Sequence, residues 1–175
     1  MDTTPPLISP FKGCWPQIEP GAFVDLAARL IGQVLIAAKA SVWPGAVLRA
    51  DEERISLGPS SAVLDLALLE APAGRPVLVE EGALISHKAT LHGAMVRAGA
   101  LVGIGAIVLD GAEIGPGALV GAGALVTPRT KVPARSLVLG SPAKVIRELK
   151  PAEERNIAAQ VAELQAKVGE YLSQP

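Results

Sequence analysis

Two histidines, His87 and His92, lie five residues apart in the stretch LISHKATLHGA, and they are the only histidines in a chain of 175 residues. Imidazole is the commonest protein ligand for transition metals, so their spacing asks whether they serve one ion. Two carboxylates stand at matching distances: Glu70 precedes His92 by 22 residues, and Asp65 precedes His87 by 22. A glutamate and two imidazoles are enough to hold Zn2+, or another divalent ion such as Fe2+ or Co2+, with a position left for water. Glu70, His87 and His92 are therefore the candidate metal ligands, with Asp65 placed to fix an imidazole or the water.

The elements that carry these residues follow from a repeat. Read in sixes from Val96, the chain gives VRAGAL, VGIGAI, VLDGAE, IGPGAL, VGAGAL, VTPRTK, VPARSL and VLGSPA. Each block opens on Val or Ile, and most carry a small residue at the fifth place. Earlier copies are VEEGAL from Val79, ISHKAT from Ile85, and one that starts at Leu91 and is a residue short. IGQVLI, AAKASV and WPGAVL continue the rhythm from Ile31. A glycine-rich low-complexity tract would not keep Val or Ile in phase over eight blocks. A period of six suits a short strand plus a turn, with one aliphatic pointing inward. Three such faces close a triangular coil of about 18 residues, and the coils stack about 4.8 Å apart as a β-helix, an all-β solenoid.

In such a coil, residues five apart fall at near-equivalent places on consecutive faces, turned by about a third of a circle. His87 and His92 of one chain then cannot easily converge on one ion. An offset of 22 is one coil plus a few looped-out residues, and APAGRP at 71–76 reads as that loop. Glu70 is expected one rung from His92, and Asp65 one rung from His87. A threefold assembly would bring Glu70 and His92 of one chain against His87 of its neighbour. Past Pro151 the pattern changes: Glu153 and Glu154 precede Ile157, Val161, Leu164, Val168 and Leu172 at helical spacing. The chain divides accordingly into a β-helix over 1–150 and one amphipathic helix over 151–175, folded back along the prism for packing.

Composition narrows the function classes. Sixteen basic and 17 acidic residues, net −1, leave no basic footprint for nucleic acid. The longest apolar run, AGALVGIGAIVL, is too short to span a bilayer, so no membrane span is expected. MDTTPPLISPF lacks the basic-then-apolar plan of a signal peptide. A single cysteine, Cys14, cannot form an internal disulfide and fits a reducing, cytoplasmic location. Aromatics make up 3% of the chain against 18 glycines and 15 prolines, so small aliphatics must pack something narrow and regular.

Several segments together resemble the γ-class carbonic anhydrase family: SVWPGAVLRAD (41–51), SHKATLHG (86–93), VGIGAIVLDGAEIG (102–115), VGAGALV (120–126) and SLVLGSPAKVIREL (136–149). The resemblance runs in order over about residues 14 to 150. It implies a left-handed parallel β-helix with a C-terminal helix, a homotrimer with metal sites at its subunit interfaces, and metal-dependent hydration of CO2. His87 and His92 match the family's second and third metal histidines. Arg49 and Asp51 match its Arg-x-Asp pair, associated with the subunit interface. Glu52 matches an acid credited with proton movement in some members, and Asp65 matches the aspartate of an Asn-x-Gln-Asp segment.

That segment also departs from the family. AVLDLALLE (62–70) puts Ala62 for the Asn, Leu64 for the Gln that orients water, Leu66 for a second Asn and Glu70 for the first metal histidine. Leucine can neither donate nor accept a hydrogen bond. A glutamate ligand gives charge to the ion and leaves its water less acidic than three neutral imidazoles would. The Tyr and Asn that many bacterial members carry on the final helix find no match in EERNIAAQVAELQAKV. The sequence thus points to a γ-carbonic-anhydrase-like homotrimer with a modified Glu–His–His site and weak or absent CO2 hydration. One alternative is a non-catalytic protein that binds bicarbonate or another small anion, or assists a larger assembly. Another is an acyltransferase using coenzyme A, although the longer loop usual in those enzymes does not stand out.

Overall fold

The computed structural model describes residues 7–173; residues 1–6 and 174–175, at the outer ends of the two expected parts, lie outside it. Short strands stack in register, coil upon coil, into a parallel β-solenoid. One face runs from Phe23–Val24 through Ser41–Val42, Ala62–Val63, Leu84–Ile85, Leu101–Val102 and Leu119–Val120 to Ser136–Leu139, each strand bonded to the next. An antiparallel strand, Lys144–Glu148, pairs with the last of them. The other two faces join into one 12-stranded sheet, because the long strand Val47–Leu57 turns a corner and serves both.

The six-residue rule dictates the interior. Val96, Val102, Val108, Ile114, Val120 and Val126 are fully buried, as are the fifth-place alanines Ala100, Ala106, Ala112 and Ala118. The main core holds no aromatic residue. Corners need a residue in the left-handed region, which glycine enters without strain. Gly99, Gly105, Gly111, Gly117 and Gly123 provide it, with φ from +60° to +67°. Where the block reads ISHK, Lys88 takes that conformation at φ 57°, directly after His87.

The N-terminal blocks lie one residue out of phase with the sequence reading. That reading opens them at Ile31, Ala37 and Trp43; the structure turns Leu30, Ile36, Val42 and Leu48 inward, each at 0–1% exposure. An indole is too large for a lumen filled by Val, Leu and Ala, so Trp43 packs outside the prism. The ladder between Arg29–Ile36 and Val47–Leu57 also shifts register between Gly32 and Val34, where the longer strand carries extra residues.

Outer positions of the first face are apolar in consecutive coils, at Leu84, Leu101, Leu119 and Leu137, and the helix Pro151–Leu172 covers them. Ile157 and Val168 are buried in that contact, and Val161 and Leu164 pack against it. Leu172, expected on the same stripe, is 57% exposed. Tyr171 turns in instead, its ring 5.4 Å from Phe23 and 5.5 Å from Trp43. Glu153 fixes the helix start. It accepts the Lys150 N–H at 2.7 Å and both prongs of the Arg147 guanidinium at 2.8 Å. The guanidinium first, and then the Lys150 N–H, hold the Glu153 carboxyl down at about 2. Among the described residues, no helix is long and apolar enough to cross a membrane.

Candidate functional site

His87 occupies the turn between strands Leu84–Ile85 and Thr90–His92, and His92 ends the second of these. The two stand at consecutive corners of one coil. Among the described residues of the single chain, no group of three or more His, Cys, Asp or Glu is gathered for a metal. The register places each histidine beside the carboxylate one coil earlier. Glu70 pairs with His92 across adjacent strands, and its Oε1 lies 3.8 Å from His92 Nε2. At the preceding corner, Asp65 Oδ2 lies 3.5 Å from His87 Nε2.

Both members of the Glu70–His92 pair have further partners. Arg49, one coil before Glu70 and in register with it, donates to Glu70 Oε1. The same guanidinium lies 3.7 Å from Asp51 Oδ2. Its pKa is raised, first by the hydrogen bond to Glu70 and further by the charges of Glu70 and Asp51. A neutral histidine at position 70 would not draw Arg49 in this way. On the far side, the Asp110 carboxylate meets His92 Nδ1. A carboxylate there favours the proton on Nδ1 and leaves the Nε2 lone pair turned towards Glu70. Arg49, Glu70, His92 and Asp110 thus line up in contact along one corner.

Glu52 has a structural partner: its Oε2 accepts the Ala73 N–H at 3.0 Å and ties the 71–76 loop to the prism. From the same loop, Arg75 Nε comes within 3.8 Å of Asp110 Oδ2. The His87 corner opens on a cavity of about 330 Å3, whose lining includes Trp43, Leu64, Asp65, His87, Lys167 and Tyr171. Leu64 is 6% exposed and belongs to the apolar cluster beneath the helix, so it extends a core where glutamine would have to bury an amide. Ala62 is fully buried in the same cluster, and Leu66 is 57% exposed in a turn.

Sequence reasoning missed Asp110, Arg75, Lys167 and Tyr171. Asp110 follows His92 by 18 residues. The coil offset, used only backwards from each histidine, finds it when used forwards. Tyr171 falls just past EERNIAAQVAELQAKV and lines the His87 cavity. Arg75 carries no signal beyond its place in a Pro- and Gly-rich loop.

Glu70 and His92 are the residues of one subunit that would hold a divalent ion, and the Glu70 oxygen 3.8 Å from His92 Nε2 is the one that Arg49 engages. Glu70 has a second carboxylate oxygen beyond the one that Arg49 engages. His92 presents Nε2 with its ring held from behind by a carboxylate, an arrangement common around zinc. Glu70 and His92 are the pair that one chain brings together, and His87 faces elsewhere.

No family model matches the chain. It is 40% identical over 143 residues to a carbonic anhydrase of Geobacillus kaustophilus, covering 82% of this chain and 79% of that one. It is 44% identical over 151 residues to an uncharacterized transferase of Bacillus subtilis, covering 86% and 88%. Among solved structures, a hexapeptide transferase family protein of Anaplasma phagocytophilum superposes with a TM-score of 0.91 at 30% identity, over 95% of this chain and 98% of that one. Each of these three likenesses covers more than four fifths of this chain. The chain belongs to the γ-class carbonic anhydrase family of hexapeptide-repeat proteins.

Proposed function

We propose that this protein is a γ-carbonic-anhydrase-like homotrimer that holds a divalent ion between Glu70 and His92 of one subunit and His87 of the next, and that it hydrates CO2 slowly. The observation that carries this reading is the Glu70–His92 register pair backed by Asp110. When bound, the ion acidifies water and polarises substrate oxygen. The remaining work falls to side chains. Asp110 holds the His92 ring with Nε2 forward. Arg49 engages one Glu70 oxygen and draws off part of its charge. Asp65 orients His87. Leu64 gives no hydrogen bond with which to aim a nucleophile.

A threefold neighbour has an apolar surface to cover. Leu66, Leu68, Ile104 and Ile107 are 57%, 37%, 56% and 39% exposed on and beside the face that the two histidines flank. Covering that face sets a neighbour against both histidine corners. Stopped-flow CO2 hydration by metal-saturated protein, run beside the Geobacillus relative, tests the reading. The rate is expected to be lower by about 10²-fold or more, the scale of loss from a misplaced reactant. Equal rates would show that Leu64 and Glu70 carry no penalty and would contradict it.

A second reading, acyl transfer from coenzyme A, is favoured by the transferase names of the Bacillus subtilis and Anaplasma relatives. Calorimetry with acetyl-CoA separates the two. Saturable binding by a protein inactive towards CO2 would support transfer.

A further inference from the structure

We infer that Arg75 is a positioning residue: lying across Gly93 and Gly111, it fixes the Asp110 carboxylate and through it the ring of His92. The inference rests on the metal-site reading above and concerns how one of its ligands is held.

The path of Arg75 is cut by two glycines. A Cβ on Gly93 would fall 2.8 Å from Arg75 Cβ, and a Cβ on Gly111 would fall 2.9 Å from Arg75 Nη1. The two glycines are one coil apart, joined by the Gly111 N–H donating to the Gly93 carbonyl at 2.7 Å. They form a bare groove, with the arginine stem against the first and the guanidinium against the second. The side chain ends with Nε 3.8 Å from Asp110 Oδ2, while Asp110 Oδ1 meets His92 Nδ1. The two oxygens of one carboxylate are therefore divided between an imidazole and a guanidinium. A carboxylate with one partner can turn about its terminal torsion, which is broad. The guanidinium 3.8 Å from the other oxygen, an ion pair without a hydrogen bond, favours one plane over the others.

The loop that supplies Arg75 is itself anchored. Pro72 O accepts the Arg75 N–H at 2.9 Å, and Glu52 accepts the Ala73 N–H at 3.0 Å. It leaves the sheet directly after Glu70 and returns to the back of His92. One inserted loop thus links both candidate ligands of the same subunit. As a surface ion pair, Arg75–Asp110 would add little stability, since the two side chains are 42% and 37% exposed. A positioning role predicts an effect on the imidazole that a stability role does not.

The chain's two histidines make the test clean. Long-range ¹⁵N–¹H spectra of metal-free protein report the tautomer of each ring, with His87 as the internal control. Wild type is expected to show the Nδ1–H form at His92. Arg75→Met keeps the stem and removes the charge. It should move His92 towards a mixture of tautomers, leave His87 and the melting temperature unchanged, and weaken Co2+ binding by about 10–100-fold. Arg75→Lys should restore part of both effects. If Arg75→Met leaves the His92 pattern unchanged while Asp110→Asn alters it, Asp110 acts without Arg75 and the inference is overturned. If the tautomer shifts but wild type binds no Co2+, the positioning role stands and the metal reading falls.

Discussion

Glu70 stands where the family resemblance implies a neutral imidazole, and its carboxylate reaches both neighbours in its column. It draws in the Arg49 guanidinium, and it sets a negative group beside the His92 Nε2 that Asp110 turns forward. Glu70→His should release Arg49 to Asp51 and rebuild a three-imidazole site across the subunit boundary. Co2+ should then bind with a tetrahedral, nitrogen-rich absorption spectrum, and CO2 hydration should return in part. Adding Leu64→Gln should raise the rate further, because orientation and acidity act on different parts of the barrier. If Glu70→His binds Co2+ no better than Glu70→Ala, Glu70 does not face the histidines. The Glu70–His92 and Asp65–His87 pairs were legible in the sequence because coil length is a matter of counting. Arg75 was not, because its contact depends on the path of a six-residue loop and on how far a long side chain reaches past two glycines.

Among the elements, the helix joins the prism through charge at its start and aromatic packing at its end. Glu153, held at about 2, contributes stability that is present above the ordinary carboxylate range and is lost as pH falls through its folded value. Trp43 lies against Tyr171 at the helix end, so its fluorescence reports docking. That signal is expected to hold down to about pH 4 and to change between there and about pH 2. Arg147→Gln removes the main cause of the depression and should move the change to higher pH. An acid profile identical to wild type would show that the ion pair does not secure the helix. The helix is legible from Pro151 and the apolar spacing, but that spacing points to Leu172 as the last contact, where the structure has Tyr171. Spacing shows which side chains share a face; it does not show that an aromatic ring with two aromatic neighbours displaces a leucine from that face. The N-terminal strands failed for a similar reason. Counting from Ile31 sent Trp43 into a lumen that its volume forbids.

For the whole molecule, the solenoid turns a six-residue period into three flat faces: one covered by the helix, one carrying a charged ladder and one left apolar. On the charged face, Glu113 bridges Arg97 and Lys131 with contacts of 2.6 Å, which suits exposure to water. The apolar face, with Leu68 and Ile107, suits a second copy of the chain. Light scattering at micromolar concentration should give a trimer, and Leu68→Lys with Ile107→Lys should give a monomer with the strand content of wild type. A wild-type monomer would remove the interface on which the site depends. The central claim is that each ion is held by Glu70 and His92 of one subunit and His87 of the next, and mixing variants tests it most directly. His87→Ala and His92→Ala proteins are each expected to bind no Co2+ in the tetrahedral form. Unfolded together and refolded as mixed trimers, they should regain it, because a His87→Ala chain still supplies Glu70 and His92 while its His92→Ala neighbour supplies His87. A mixture that binds no more Co2+ than its separate components would contradict the shared site.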